Sequence, residues 1–264
     1  VKNIKPLPLA NPLVDRCIEC GFCERNCLTC GLTLSSRQRI VVQREISRLR
    51  SSGENPARLK SLESAFYKLG VSSCAGDGLC STSCPMNINT GELVHELRKA
   101  KLPKGSLGYK TGDFVANHFA GIKSAIRRML SVASAMHSGI GDKAVDAVGN
   151  AMSAIGLPLW SSAFPMAYYP HNLDVKTKEL KVVYFPSCIN QTMGKSKHDD
   201  MPLLEKMVKL MQKAGYEVIF PKNMDKLCCG TIWESKGMPE IADRKSKELE
   251  MALLEASNGG EYPV

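Results

Sequence analysis

Five cysteines fall within fifteen residues in "CIECGFCERNCLTCG" (17–31), and this crowding limits what the chain can fold around more than any other feature. A disulfide framework accounts for it poorly. Eleven cysteines in 264 residues is an odd number in a chain too long to need staples, and a Cys-Cys dipeptide is present, so ligation of metal by thiolates is the better reading. Cys17, Cys20, Cys23 and Cys27 follow C-x2-C-x2-C-x3-C. Three thiolates spaced by two residues can converge on one cubane iron-sulfur cluster, while the fourth reaches a neighbouring cluster. Structural zinc sites usually bring two C-x2-C pairs from different places, whereas this run puts all four ligands into one short loop.

A second set begins at residue 74. Cys74, Asp77, Cys80 and Cys84 repeat the spacing, with aspartate where the second cysteine would stand and Pro85 after the last. The two-cluster rule then assigns Cys17, Cys20, Cys23 and Cys84 to one cluster, and Cys27, Cys74 and Cys80 to the other, with Asp77 at its fourth iron. A carboxylate is a harder ligand than a thiolate, so that iron is expected to be the labile one. The second site is therefore a 4Fe-4S cluster or a 3Fe-4S cluster, and the other reading of Asp77 is a turn residue in "AGDG". Leu28 follows Cys27 where proline commonly closes this motif. Cys30 has no place in the scheme and reads as a spare buried thiol.

Three segments divide the chain, and the expected class is α+β. Residues 1–110 read as an all-α, ferredoxin-like two-cluster domain. "SSRQRIVVQREISRLRSSG" is a helix capped by Ser35 or Ser36, apolar at Ile40, Val41, Ile46 and Leu49, and stopped at Gly53. "ENPARLKSLESAFYKLG" has Pro56 in its first turn, a face of Leu59, Leu62, Phe66 and Leu69, and Gly70 just past its end; a third helix starts near Thr90. Residues 111–178 read as one or two packing helices and then a linker studded with Pro158, Pro165 and Pro170. Gly139, Gly141 and Ala144 there fit a G-x-G-x-x-A string, but no strand precedes it, so dinucleotide binding is not expected. His118 and His137 read as surface or packing residues.

Residues 179–264 alternate strand ("KVVYF", 181–185), helix, strand ("YEVIF", 216–220) and helix, which implies a parallel sheet. Cys188, Cys228 and Cys229 follow the carboxyl ends of the two strands, where open α/β sheets place their sites.

The formal charge of +9 raises a nucleic-acid hypothesis, in the form of a zinc-dependent binding module. Thiolate ligation lowers that charge, and surface aromatics are not interleaved with the basic residues, so no nucleic-acid partner is expected. The basic residues Arg37, Arg39, Arg44, Arg48 and Arg50 read as a solvated helix surface or one turned to a partner. No apolar stretch reaches the roughly 18 residues of a spanning helix, and the beginning of the sequence lacks the order of a signal peptide. A cytoplasmic protein, free or at the inner face of the membrane, is expected.

"LVDRCIECGFCERNC", "TLSSRQRIVVQREI" and "SCAGDGLCSTSCPMNINTGELV" resemble the iron-sulfur region of the bacterial FAD-linked D-2-hydroxyacid dehydrogenases, of the D-lactate or D-2-hydroxyglutarate type. The resemblance covers nearly the whole chain. It implies two 4Fe-4S clusters in a helical ferredoxin domain, a preceding FAD-binding domain in the same parent polypeptide, and a following cysteine-rich CCG domain. FAD itself would be held by that parent and not by this chain. Electrons would pass singly from flavin to a quinone or carrier protein, and no residue here would be a catalytic acid, base or nucleophile. The CCG domain is shared with heterodisulfide reductases and with the iron-sulfur subunits of glycolate oxidase and anaerobic glycerol-3-phosphate dehydrogenase, which are the alternative parents. "CCGTIWESKG" resembles its motif, and the next cysteine of the pattern falls due near position 265, so a truncated CCG domain is expected. For Cys188, Cys228 and Cys229 a further cluster, zinc, a thiol-disulfide pair and free thiols all stay open.

Overall fold

The computed structural model describes residues 9–154, 161, 164–169, 173, 176–195 and 199–264. Pro158 and Pro170 of the expected linker, and the side chain of His137, lie outside the described residues. The fold is α+β and mostly helical. It forms two compact units, Val1–Lys110 with Thr231–Glu240 and Thr111–Gly230 with Ile241–Val264. Thr231–Glu240 lies in the stretch that sequence reading gives to the α/β segment, and it groups with the first unit.

The described residues of the first unit contain helices and loops. Helix α1 (Ser36–Ser52) starts at a full capping box: the Ser35 side chain accepts from the Gln38 amide, and the Gln38 side chain accepts from the Ser35 amide. Gly53, in the left-handed region, ends it with its amide on the Leu49 carbonyl. Its buried face is Ser36, Arg39, Ile40, Gln43, Arg44, Ile46 and Leu49, while Val41 points outward. Three of the four apolar residues expected on the inner face are there, and two arginines and a glutamine share it with them.

Helix α2 (Pro56–Phe66) does not stop before Gly70. It widens into a π turn, Tyr67–Val71, in which the Ser72 amide bonds to the Tyr67 carbonyl at 2.8 Å. The extra residue in that turn makes the phase lag behind that of an α-helix, with Leu69 at the surface and Gly70 and Val71 facing inward. Gly70 has little room there: a Cβ would lie 2.7 Å from the Phe66 ring. Helix α3 (Leu79–Thr82) is a single turn, and α4 (Thr90–Lys101) is capped by the Asn89 side chain on the Gly91 amide.

Two apolar clusters hold this unit. Val14, Ile40, Ile88 and Leu93 pack with Cys17 and Cys84 at their border; Ile46, Phe66, Val71 and Val94 pack with Cys74 at theirs. Both cysteine loops are therefore seated on the same buried helices, α1 and α4.

Three helices stand where one or two were expected in the middle segment: α5 (Leu107–Asn117), which the unit division cuts after Lys110, and α6 (Phe119–Ile140) and α7 (Asp142–Ala154) in the second unit. The G-x-G-x-x-A string spans the helix-to-helix junction of α6 and α7. His118 is exposed and stacks on Phe114. Strands β1 (Leu180–Val183) and β2 (Tyr216–Ile219) pair in parallel with Leu180 opposite Tyr216, joined through α8 (Cys188–Thr192) and α9 (Leu203–Lys213). Leu204 and Val208 of α9 pack on Val218, with Tyr168 beside them. Helix α10 (Thr231–Glu234) and most of α11 (Pro239–Ala256) fall on opposite sides of the unit division. Among the described residues no helix is long and apolar enough to cross a membrane.

Candidate metal centres

The first cysteine loop is built tightly enough to aim its thiols. The Asp15 carboxylate accepts from the amides of Ala10 (2.6 Å) and Asn11 (3.1 Å), which fixes the turn that enters at Cys17. Arg44, 3% exposed, bonds to the Cys17 carbonyl at 2.9 Å and pairs with Glu19. A 3-10 turn, Phe22–Asn26, carries Cys23, and Glu24 within it accepts from the Ser35 hydroxyl at 2.5 Å. Burial pushes the Cys17 and Cys23 thiols up, opposed at Cys17 by the Glu19 amide and the Arg44 charge. In the second loop Gly76 and Gly78 both adopt positive φ, and the Asp77 carboxylate accepts from the Leu79 amide at 3.1 Å. The turn role of Asp77 is therefore real. It does not consume the carboxylate, which has a second oxygen.

Two cavities separate the candidate ligands. One is lined by Cys17, Cys20, Cys23 and Cys84, with Ile18, Ile40, Met86, Ile88 and Arg37. The other is lined by Cys27, Cys74, Asp77 and Cys80, with Leu28, Thr29, Arg39 and the backbone of Gly76 to Gly78. Thr90, the first residue of α4, lines both. Its amide donates to Cys80 Sγ at 3.4 Å, so the positive end of a twelve-residue helix faces the wall between them. Cys30 lines neither and is exposed, which corrects its reading as a buried thiol: it sits on an outward turn whose amide bonds to the Cys27 carbonyl.

Arg39 and Arg44 also depart from the sequence reading, which left them on a charged surface. Arg39 is 1% exposed. Its guanidinium donates to the Gly70 carbonyl (2.7 Å), Thr29 Oγ1 (2.8 Å), Ser73 Oγ (3.3 Å) and Cys27 Sγ (3.6 Å). Burial pushes the Cys27 thiol up, but donors from Thr29, Arg39 and Ser36 outweigh it and hold the thiol below its ordinary range. Of the remaining basic residues on α1, Arg37 pairs with Glu24, Arg48 with Glu45 and Glu54, and Arg50 with Glu63. Carboxylates of this chain therefore answer them.

Arg98 of α4 was also missed. It donates to the carbonyls of Val71 (2.7 Å), Cys74 (2.6 Å) and Ser235 (2.6 Å), so one guanidinium ties the second cysteine loop to the Thr231–Glu240 segment. One signal in the sequence could have flagged Arg39: its three-residue spacing from Ser36 and seven-residue spacing from Ile46 put it on the inner stripe. None could have flagged Arg98.

This arrangement fits thiolate-bound inorganic clusters. The donors are soft sulfurs and one carboxylate, the lining includes guanidinium groups and backbone amides, and Asp77 is the only acidic residue in either lining. Among the described residues no three cysteine, histidine or acidic groups are gathered closely enough for a single metal ion. The thiols stand instead around two voids.

In the second unit Cys188 opens α8, Cys228 is 1% exposed and Cys229 is exposed. A hydrogen bond from Cys228 holds the Cys188 thiol well below its usual range against the effect of burial, helped by the Ile189 amide and the charge of Lys123. The same bond, with burial, pushes Cys228 up. Lys123, 2% exposed, bonds to Gln191 at 2.6 Å and stands 3.3 Å from Asp225.

Residues 13–88 match the 4Fe-4S dicluster domain family, a span that contains Asp77 and all seven cysteines that line the two cavities. This match supports an iron-sulfur electron-transfer module over that span. The chain is also similar to the D subunit of the dihydromethanophenazine:CoB–CoM heterodisulfide reductase of Methanosarcina acetivorans, 29% identical over 113 residues. That match covers 39% of this chain and 27% of the relative, so the chain spans about a quarter of that subunit's length. No solved structure matches.

Proposed function

We propose that the first unit holds two iron-sulfur clusters, one on Cys17, Cys20, Cys23 and Cys84 and one on Cys27, Cys74 and Cys80 with Asp77 at the fourth position, and relays electrons within a larger oxidoreductase. The observation that carries this reading is the division of the eight side chains, four and four, between two cavities that share Thr90. Such clusters, when bound, accept and release one electron at a time. Thr90, which lines both cavities, would stand beside both of them. Ile40 and Ile88 line the first cavity and pack on Val14 and Leu93, while Val71, Val94 and Phe66 pack against Cys74. Arg39, Thr90 and Glu19 donate to ligand sulfurs at Cys27, Cys80 and Cys17.

The parent enzyme that the sequence motifs support is an FAD-linked D-2-hydroxyacid dehydrogenase, whose flavin would pass electrons to this relay and on to a quinone or carrier protein. A second reading, a component of a disulfide-reducing complex, is favoured by the similarity to the heterodisulfide reductase subunit. In either parent Cys188, Cys228 and Cys229 form a separate redox or metal site. The test of the common core is anaerobic reconstitution of the chain, with iron and acid-labile sulfide assays and electron paramagnetic resonance. About eight irons per chain are expected, or about seven where Asp77 loses its iron. A protein that takes up neither iron nor sulfide refutes the reading. A flavin-domain coding region joined upstream would choose the first parent over the second.

A further inference from the structure

We infer that Arg39 makes the cluster on Cys27, Cys74 and Cys80 the more easily reduced of the two, so that an electron entering this unit comes to rest there. The inference rests on the proposed two-cluster reading. It begins from a charge that the protein leaves unanswered. Arg39 is buried to 99% by the neighbours that reduce its exposure to 1%, yet among the described residues no carboxylate pairs with it; its partners are a carbonyl, two hydroxyls and Cys27 Sγ. A buried cation without an anion is costly. Among the described residues, the hydrogen-bond partner of Arg39 that can carry negative charge is the Cys27 thiolate, with whatever that sulfur ligates.

Arg44 provides the internal comparison. It lies on the same helix and is 3% exposed, but Glu19 neutralises it, and its other bonds go to the carbonyls of Asp15 and Cys17. Arg37, which lines the first cavity, is matched by Glu24 at 3.3 Å. Thus the arginine that lines the first cavity is paired with a carboxylate, and the one that lines the second is not. Reduction adds one negative charge to a cluster, and a buried cation hydrogen-bonded to a ligand sulfur stabilises that state with little screening. As the proposed fourth ligand Asp77 brings one negative charge, as a thiolate does, so the two ligand sets are equal in charge and Arg39 is the difference between them. The Thr29 amide at Cys27 and the Thr90 amide at Cys80 add neutral donors on the same side.

The test is a potentiometric titration of the anaerobically reconstituted full chain, followed by electron paramagnetic resonance. Asp77→Cys identifies the second cluster, because only its signal changes with that ligand. The wild-type cluster so identified is expected to titrate at the higher potential. Arg39→Gln, which keeps hydrogen-bond donors but no charge, shifts that signal to lower potential and leaves the other in place. Arg39→Lys keeps charge without the planar fork and falls between. The inference is overturned if the identified cluster titrates at the lower potential in the wild type, an outcome that needs no Arg39 variant to fold. It is equally overturned if Arg39→Gln binds both clusters and shifts neither, or shifts the wrong one. A wild-type chain that holds no pair of clusters refutes the two-cluster reading instead.

Discussion

Replacing Arg98 by methionine isolates the device that fastens the second cysteine loop. The substitution keeps an unbranched apolar stem and removes a guanidinium that serves three carbonyls, those of Val71, Cys74 and Ser235. A hydrogen bond to a charged group contributes about 1.5–3 kcal/mol, so three give an upper bound near 5–9 kcal/mol. Arg98 is only half-buried, and of the three acceptors only Val71 belongs to a buried residue, so water recovers much of the loss at Cys74 and Ser235. A net destabilisation of about 2–4 kcal/mol remains. With a urea dependence of about 2 kcal/mol per molar, the midpoint falls by about 1–2 M. Cluster absorbance in the reconstituted protein reads the first unit selectively, and limited proteolysis within Thr231–Glu240 reports whether that segment has come free. A midpoint within about 0.3 M of wild type, with no new cleavage, would show that the three carbonyls do not depend on Arg98.

Three further outcomes follow from the same structure. Asp77→Cys supplies a softer fourth ligand, and the half-life of the second cluster in air lengthens severalfold, as read by the appearance of a three-iron signal; an unchanged half-life argues that Asp77 is only the cap of Leu79. Gly70→Ala drives a methyl to 2.7 Å from the Phe66 ring, and thermal unfolding of the first unit drops by the equivalent of about 1–3 kcal/mol. The third concerns pH. Because the folded Cys188 thiol lies below the ordinary value of about 8.5, it is alkylated at neutral pH faster than a free thiol, and Lys123→Met slows that reaction. The stability contributed by this depressed group is fully present above the unfolded thiol's value and drains away as pH falls through the folded one, which urea midpoints taken between pH 9 and 5 measure.

The parts of this protein legible in its sequence are those set by neighbours along the chain. Spacing within a short loop limits where successive thiols can reach, so the ligand candidates could be sorted into two groups before any fold was known, and the same groups line the two cavities. Capping chemistry is equally local: the sequence marks the start of α1 at Ser35 or Ser36 and its end at Gly53, and the structure chooses Ser35. The strands and their parallel pairing were legible in alternation with helices. Periodicity failed where it assumed an unbroken 3.6-residue period, at the π turn that exposes Leu69 and buries Gly70.

What tertiary structure alone decided is which charges can be held inside. Spacing along α1 can put Arg39 on the inner stripe, but nothing there says which acceptors would satisfy a buried guanidinium. The partners lie far along the chain or across a turn: Gly70 and Ser73 come to Arg39, whereas Glu54 and Glu63 come to Arg48 and Arg50. In the same way Arg98 acquires its role only when Ser235, 137 positions later, arrives beside Cys74. A cation is tolerated in a dry interior only where acceptors converge on it, and that convergence is a property of the folded chain, not of any window of sequence.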